Sequence, residues 1–377
     1  SHLRILFLFF ICRVAINDVQ KMIDQSTVSN RKARKISLDS YDYTKYHPMG
    51  EVRNDMCTFH GKLISDKVWS LHFILMSYSL QGYSEKGETL ANFWRSENSR
   101  SKYITIQFLD LVNITNVYIF LNLQIINKHR SDAVLQNVLR QVDIYVIPVL
   151  NVDGYIYTWT DERLWRKNRS PQGNGTCYGV DLNRNFDAQW SIGASTNCSS
   201  LIYCGPEKAS ELETKGLVDL VQPLRPNVLS YLTIHSYGQY ILFSYGYKKN
   251  ESEHHQELMD VANKAAAKIL ALHGKRYTIG SSSVVLYDTS GNSADWATDW
   301  ANVKFSYTYE LRDNGTHGFL LPEDQIKDTC DENTLAVMSM IEHINENYLE
   351  SNAVTILSIW LNVIFSCAVG IYFSVSH

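Results

Sequence analysis

Ile144-Tyr-Val-Ile-Pro-Val-Leu150, running into Asn151-Val-Asp-Gly154, is the stretch on which the reading of this chain turns. An apolar, β-rich run of this length predicts a buried strand, and an exit through Asn, Asp and Gly predicts a turn. Such a strand hands a loop to the carboxyl edge of a sheet, where α/β proteins hold their ligands. The loop that follows carries Arg163-Leu-Trp-Arg166-Lys167 and then Asp181-Leu-Asn183-Arg184-Asn185-Phe186. Guanidinium groups beside an amide suit an anion, because Arg grips a carboxylate through two parallel charge-assisted bonds. Surface salt bridging is the other use of arginines in this setting.

Outward from that stretch, the periodicity predicts a helix over Val134 to Val142 and a second over Glu251 to His273. Leu229 to Ile234 reads as a buried strand delivering His235, and Val303 to Tyr309 as an alternating strand that ends at Glu310. A closing helix from Cys330 to Tyr348 would place Leu335, Met338 and Ile341 on one face.

The 377 residues, 45% hydrophobic, can bury a large core in one long domain with appendages. A net charge of -4 gives no basic field, which argues against nucleic acid as a partner. Seven sparse cysteines without Cys-x-x-Cys spacing argue against a structural zinc module. Six Asn-x-Ser/Thr tripeptides, at Asn113, Asn168, Asn174, Asn197, Asn250 and Asn314, suit a secreted glycoprotein; Pro171 weakens the one at Asn168.

Further motifs follow in order: Ile-His-Ser-Tyr-Gly-Gln at 234–239, Tyr-Asp-Thr-Ser-Gly at 287–291 and Tyr-Glu-Leu-Arg-Asp at 309–313. Together with Leu-Asn-Val-Asp-Gly-Tyr at 150–155 and the two arginine motifs, this series resembles the zinc metallocarboxypeptidases of the pancreatic A/B type (family M14). The resemblance implies an α/β fold with a central mixed, mostly parallel β-sheet and helices on both faces. It implies hydrolysis of the C-terminal peptide bond of peptides by a zinc-bound water. It makes His235 a zinc ligand, Glu310 the general base and Arg166 the group that stabilises the oxyanion. A salt bridge to Arg312 is the alternative use of Glu310. Asn183, Arg184 and Tyr287 resemble the clamp on the terminal carboxylate, which confines cleavage to chain ends. Ala294 falls at the specificity position and implies a neutral side-chain pocket, with Thr289 and Asn292 nearby. The resemblance also pairs Cys177 with Cys198 and leaves Cys204 without its usual partner.

One motif is missing. The family supplies two further zinc ligands as His-x-x-Glu after a strand, near Phe108-Leu-Asp-Leu111 by spacing, and residues 52–128 depart from that pattern by divergence or by an error in the gene sequence. His254-His-Gln-Glu257 and His343-Ile-Asn-Glu346 have the spacing but fall where the family has no ligand. With one ligand of three, the alternative is an inactive pseudoenzyme that binds peptide C-termini.

The organisation expected is a partial signal peptide or short hydrophobic strand at 1–15, a linker at 16–37, a carboxypeptidase-like domain at 38–349 and an apolar tail at 351–377. The long prosegment of the pancreatic enzymes is not expected. The uncharged run from Ala353 to Val375 is read as a GPI-attachment signal, a membrane-crossing helix or a buried core helix. Membrane contact through this tail, on the extracellular side of the secretory pathway, is the expectation.

Overall fold

The computed structural model describes residues 71–73, 103–108, 121, 124–125, 127–128, 131–147 and 149–349. The expected signal peptide, linker, apolar tail and Asn113, and the residues from 109 to 111, lie outside them.

Among the described residues, seven strands form one sheet: β1 (Leu71–Phe73), β2 (Tyr103–Phe108), β3 (Asp143–Ile147), β6 (Val228–His235), β7 (Tyr240–Phe243), β8 (Thr278–Ser281) and β9 (Phe305–Glu310); β4 (Pro171–Gln172) and β5 (Cys177–Tyr178) form a separate hairpin. The spatial order is β1-β3-β2-β6-β9-β7-β8, and every pairing is parallel except β7 with β9. This is the mixed, mostly parallel sheet that the resemblance implies.

The organising strand shows why the sheet is covered on both faces. Ile144 and Val146 of β3 enter one apolar cluster, while Tyr145 and Ile147 enter another. Successive residues of a strand point to opposite faces, so a fully apolar run needs a layer on each side. One layer comprises the helices Ala133–Gln141 (α1), His255–His273 (α4) and Ile326–Ile344 (α7), through Leu135, Val138, Val261, Ala265, Met340 and Ile344. The other comprises the helices Leu212–Val221 (α3) and Ser293–Asp299 (α6), through Leu217, Val221 and Trp296. Full burial of such side chains stabilises by about 1.5–3 kcal/mol each relative to exposure.

Several sequence expectations shift. Asn151 to Gly154 is not an open turn: Asn151 caps a helix, α2 (Val152–Thr160), its Oδ1 accepting from Gly154 N at 3.0 Å. A polar side chain satisfying a free amide at a helix start is the physical reason the chain coils there. Strand β9 is largely buried rather than alternating, because helices cover both of its faces. In α7 the buried face is Cys330, Val337, Met340, Ile341 and Ile344, and Leu335 and Met338 are only partly covered. Cys177 and Cys198 are bonded, as the resemblance implies, and Cys204 is free and buried. No helix among the described residues is long and apolar enough to cross a membrane.

Candidate functional site

The strand order places the site. β3 lies on one side of β2 and β6 on the other, a switch in strand order of the kind at whose carboxyl edge α/β proteins hold their ligands. His235 is the last residue of β6 and Glu310 the last of β9, and the parallel pairing sets them directly opposite each other. His235 is 5% exposed, and its Nε2 lies 2.8 Å from Thr233 Oγ1. The salt-bridge alternative for Glu310 falls away, since the Arg312 guanidinium is buried against Glu332 and reaches Asp328.

The two arginine motifs are joined by Asp181, a residue to which the sequence reading gave no role. Its Oδ2 accepts from Arg166 Nε at 2.9 Å, while its Oδ1 accepts from Asn183 N at 3.1 Å and caps the short 3-10 turn Leu182–Arg184. An Asp just ahead of a turn is a capping position, which was the available signal. Asn151 fastens the other side, its Nδ2 donating to Lys167 O at 3.1 Å and Arg166 O at 3.3 Å. Gly154 accommodates that staple, for a Cβ there would stand 2.6 Å from Lys167 O and 2.4 Å from Asn151 Nδ2.

The turn packs on the segment that carries the other expected residues. Asn183 Oδ1 accepts from Ser293 N at 3.0 Å, and Phe186 N donates to Gly291 O at 3.0 Å. Ala294 is buried in α6, and its carbonyl accepts from Ser306 Oγ of β9 at 2.9 Å, which ties the expected pocket floor to the Glu310 strand. Thr289 N donates to Gly246 O at 2.8 Å, and its Oγ1 is buried without a hydrogen-bond partner. Tyr287 is 62% exposed, just after the short helix Ser282–Val285 (α5). Beside this pocket Asp295 is buried; burial pushes its carboxyl up to about 6 although Asn292 Nδ2 and Gly246 N both donate to it.

Arg184 is the least satisfied group in the site. It is 5% exposed, its Nη1 donates to Asn183 O at 2.8 Å, and its Nε is buried with no partner. No carboxylate among the described residues pairs with it.

The chain belongs to the zinc carboxypeptidase family: the Peptidase_M14 zinc carboxypeptidase model matches residues 115–336. It is 44% identical over 324 residues to carboxypeptidase O of Bos taurus, covering 84% of this chain and 83% of that protein. It is 47% identical over 210 residues to carboxypeptidase B of Bos taurus, covering 55% of this chain and 50% of that one. Among solved structures it resembles bovine thrombin-activatable fibrinolysis inhibitor in complex with tick carboxypeptidase inhibitor, with a TM-score of 0.64 and 33% identity over 81% of this chain and 99% of that one.

A catalytic zinc takes three protein donors and a water. Of those expected, the described residues supply His235 alone. The one group of three candidate ligands among them is His273, Asp328 and Asp331, with Arg312 on Asp328 and Lys327 on Asp331. Residues 109–128, which follow β2, contain the carboxylate Asp110 and no His, Cys or Glu. The two donors that the resemblance expects beside His235 are therefore found neither among the described residues nor in 109–128. The two His-x-x-Glu strings do not supply one: Glu257 accepts from His343 Nε2 at 2.9 Å and pairs with Lys304, a charge network between α4 and α7.

Proposed function

We propose that this chain recognises the free C-terminus of peptides, with the terminal α-carboxylate held by Arg184 and Asn183 and covered by Tyr287. The observation that carries this reading is the buried guanidinium of Arg184, whose Nε has no partner. Removing a cation from water without a counter-ion costs several kcal/mol, and a bound carboxylate would offset that cost with charge-assisted bonds. Asn183 commits its Oδ1 to Ser293 N, which turns its Nδ2 into the donor available to an anion. Ala294 gives the adjoining pocket a neutral floor, so uncharged terminal side chains are the preferred class.

The second reading is hydrolytic release of the C-terminal residue, as a zinc metallocarboxypeptidase. What favours it is Glu310 placed opposite His235, a base beside a metal ligand. Arg166, aligned by Asp181, would steady the oxyanion. The reading needs two zinc donors that the sequence does not provide in the expected place. The Cys177–Cys198 bond supports passage through an oxidising, secretory compartment, with attachment at the extracellular membrane face through residues 351–377 as the accompanying proposal.

Two measurements on the purified chain test these readings. Calorimetry should give binding of a peptide with a free C-terminus and none of its amidated form; equal binding of both would refute recognition of the carboxylate. Elemental analysis after dialysis should give far less than one zinc per chain, and stoichiometric zinc with peptide turnover would establish the hydrolytic reading instead.

A further inference from the structure

Five of the Asn-x-Ser/Thr tripeptides fall within the described residues, and the fold separates them by the state of one atom. An N-linked glycan is bulky and replaces one hydrogen of the side-chain nitrogen, so a glycosylated folded protein must leave room for it at Nδ2 on the solvent side. Asn168 fails on both counts. It is 1% exposed, and its Nδ2 donates to Glu211 Oε2 at 2.7 Å and to Glu213 Oε2 at 3.2 Å. Its Oδ1 accepts from Val180 N at 2.8 Å and from Ser170 Oγ at 3.1 Å, the hydroxyl of its own tripeptide. A sugar on Nδ2 would have to displace Glu211, itself buried.

The other four are exposed. Asn174 stands at the tip of the β4–β5 hairpin with a φ of 57°, a conformation that Asn tolerates. Asn197 spends its Oδ1 on Ser199 N at 3.0 Å, and Asn314 accepts at Oδ1 from Thr316 Oγ1 at 3.3 Å. Both leave Nδ2 free. Asn250 lies exposed in the segment between β7 and α4. Asn314 follows Glu310 by four residues, and a Cβ built on the neighbouring Gly315 would stand 3.7 Å from the Tyr237 ring.

We propose that the folded protein carries N-linked oligosaccharides on Asn174, Asn197, Asn250 and Asn314 and none on Asn168. In the transfer, Nδ2 bonds to the anomeric carbon of an oligosaccharide carried on a lipid pyrophosphate. The bond from that carbon to the pyrophosphate oxygen breaks, the lipid pyrophosphate leaves with the electron pair, and one Nδ2 proton is lost. The assignment is independent of whether the cleft binds peptides.

The test is site mapping on the full chain expressed in an animal-cell secretory host. Enzymatic glycan removal in heavy-oxygen water converts each occupied Asn into a labelled Asp, which peptide mass mapping locates. Label at the four exposed positions and unmodified Asn168 is the expected result. Label at Asn168 in the secreted, folded pool, or unlabelled Asn at any of the four, overturns it. If little chain is secreted, the protease-resistant fraction of the cell lysate is mapped by the same criterion.

Discussion

The carbonyl oxygen of Arg184 lies 2.3 Å from the point where a side chain on Gly291 would begin. Gly291 also has a φ of +69°, so both contact and backbone conformation call for glycine. The turn that bears the candidate carboxylate clamp and the segment that bears Tyr287, Thr289 and Ala294 therefore approach each other to backbone distance.

Gly291→Ala should separate them. Arg184 O is backbone and cannot yield as a flexible side chain would, and a non-glycine residue at this φ adds strain on the order of 1–3 kcal/mol. The expected outcome is a lower thermal midpoint together with weaker binding of free-C-terminus peptides. A variant with unchanged stability and unchanged affinity would show that the close approach has no energetic consequence.

Arg184→Lys tests the clamp with the charge retained. Lysine lacks the planar fork, so the paired hydrogen bonds to a carboxylate are lost. A loss of about 1.5–3 kcal/mol corresponds to an affinity for free C-termini roughly ten- to a hundredfold weaker. Titration calorimetry at constant ionic strength reads this directly, and the amidated peptide should show no comparable change.

Acid should loosen the contact between α4 and α7. Burial alone would raise the Glu257 carboxyl, but hydrogen bonds from Lys304, His343 and Tyr348 outweigh it and hold the group down at about 2. A depressed carboxyl stabilises the fold fully above its ordinary value of 4.5, and that contribution is lost as pH falls from there through about 2. Urea midpoints at pH 6, 4 and 3 should fall steeply in the wild-type chain. Glu257→Gln should be less stable at pH 6 and show a flatter decline.

Glu213 behaves in the opposite sense. Burial, together with the neighbouring charge of Glu211, pushes its carboxyl up to about 7, although Asn168 and a backbone amide pull it back. A raised carboxyl favours the protonated folded state, so its contribution is complete below the ordinary 4.5 and is lost as pH rises through about 7. Glu213→Gln should therefore gain stability relative to wild type at pH 8 and gain little at pH 5. Equal differences at the two values would exclude titration of this group as the source.

Local pattern settled a large part of this protein. The apolar run at 144–150 required a strand covered on both faces, and the alternation of Ile144 and Val146 against Tyr145 and Ile147 between two clusters is the direct expression of that requirement. The ends of β6 and β9 at His235 and Glu310 were legible for the same reason, since side-chain periodicity and strand length are properties of neighbours in sequence. Long-range partners were not legible. That Arg312 goes to Glu332, that Asp181 joins Arg166 to Asn183 and that Glu257 meets His343 depend on which elements fold side by side, and no spacing encodes that. Tertiary burial likewise distinguished Asn168 from its four exposed counterparts, which share the same three-residue pattern. Composition fixes which groups a chain owns, whereas the desolvation and pairing of each are set by residues far away along it, and these decide whether a group is paired, buried without a partner or left exposed.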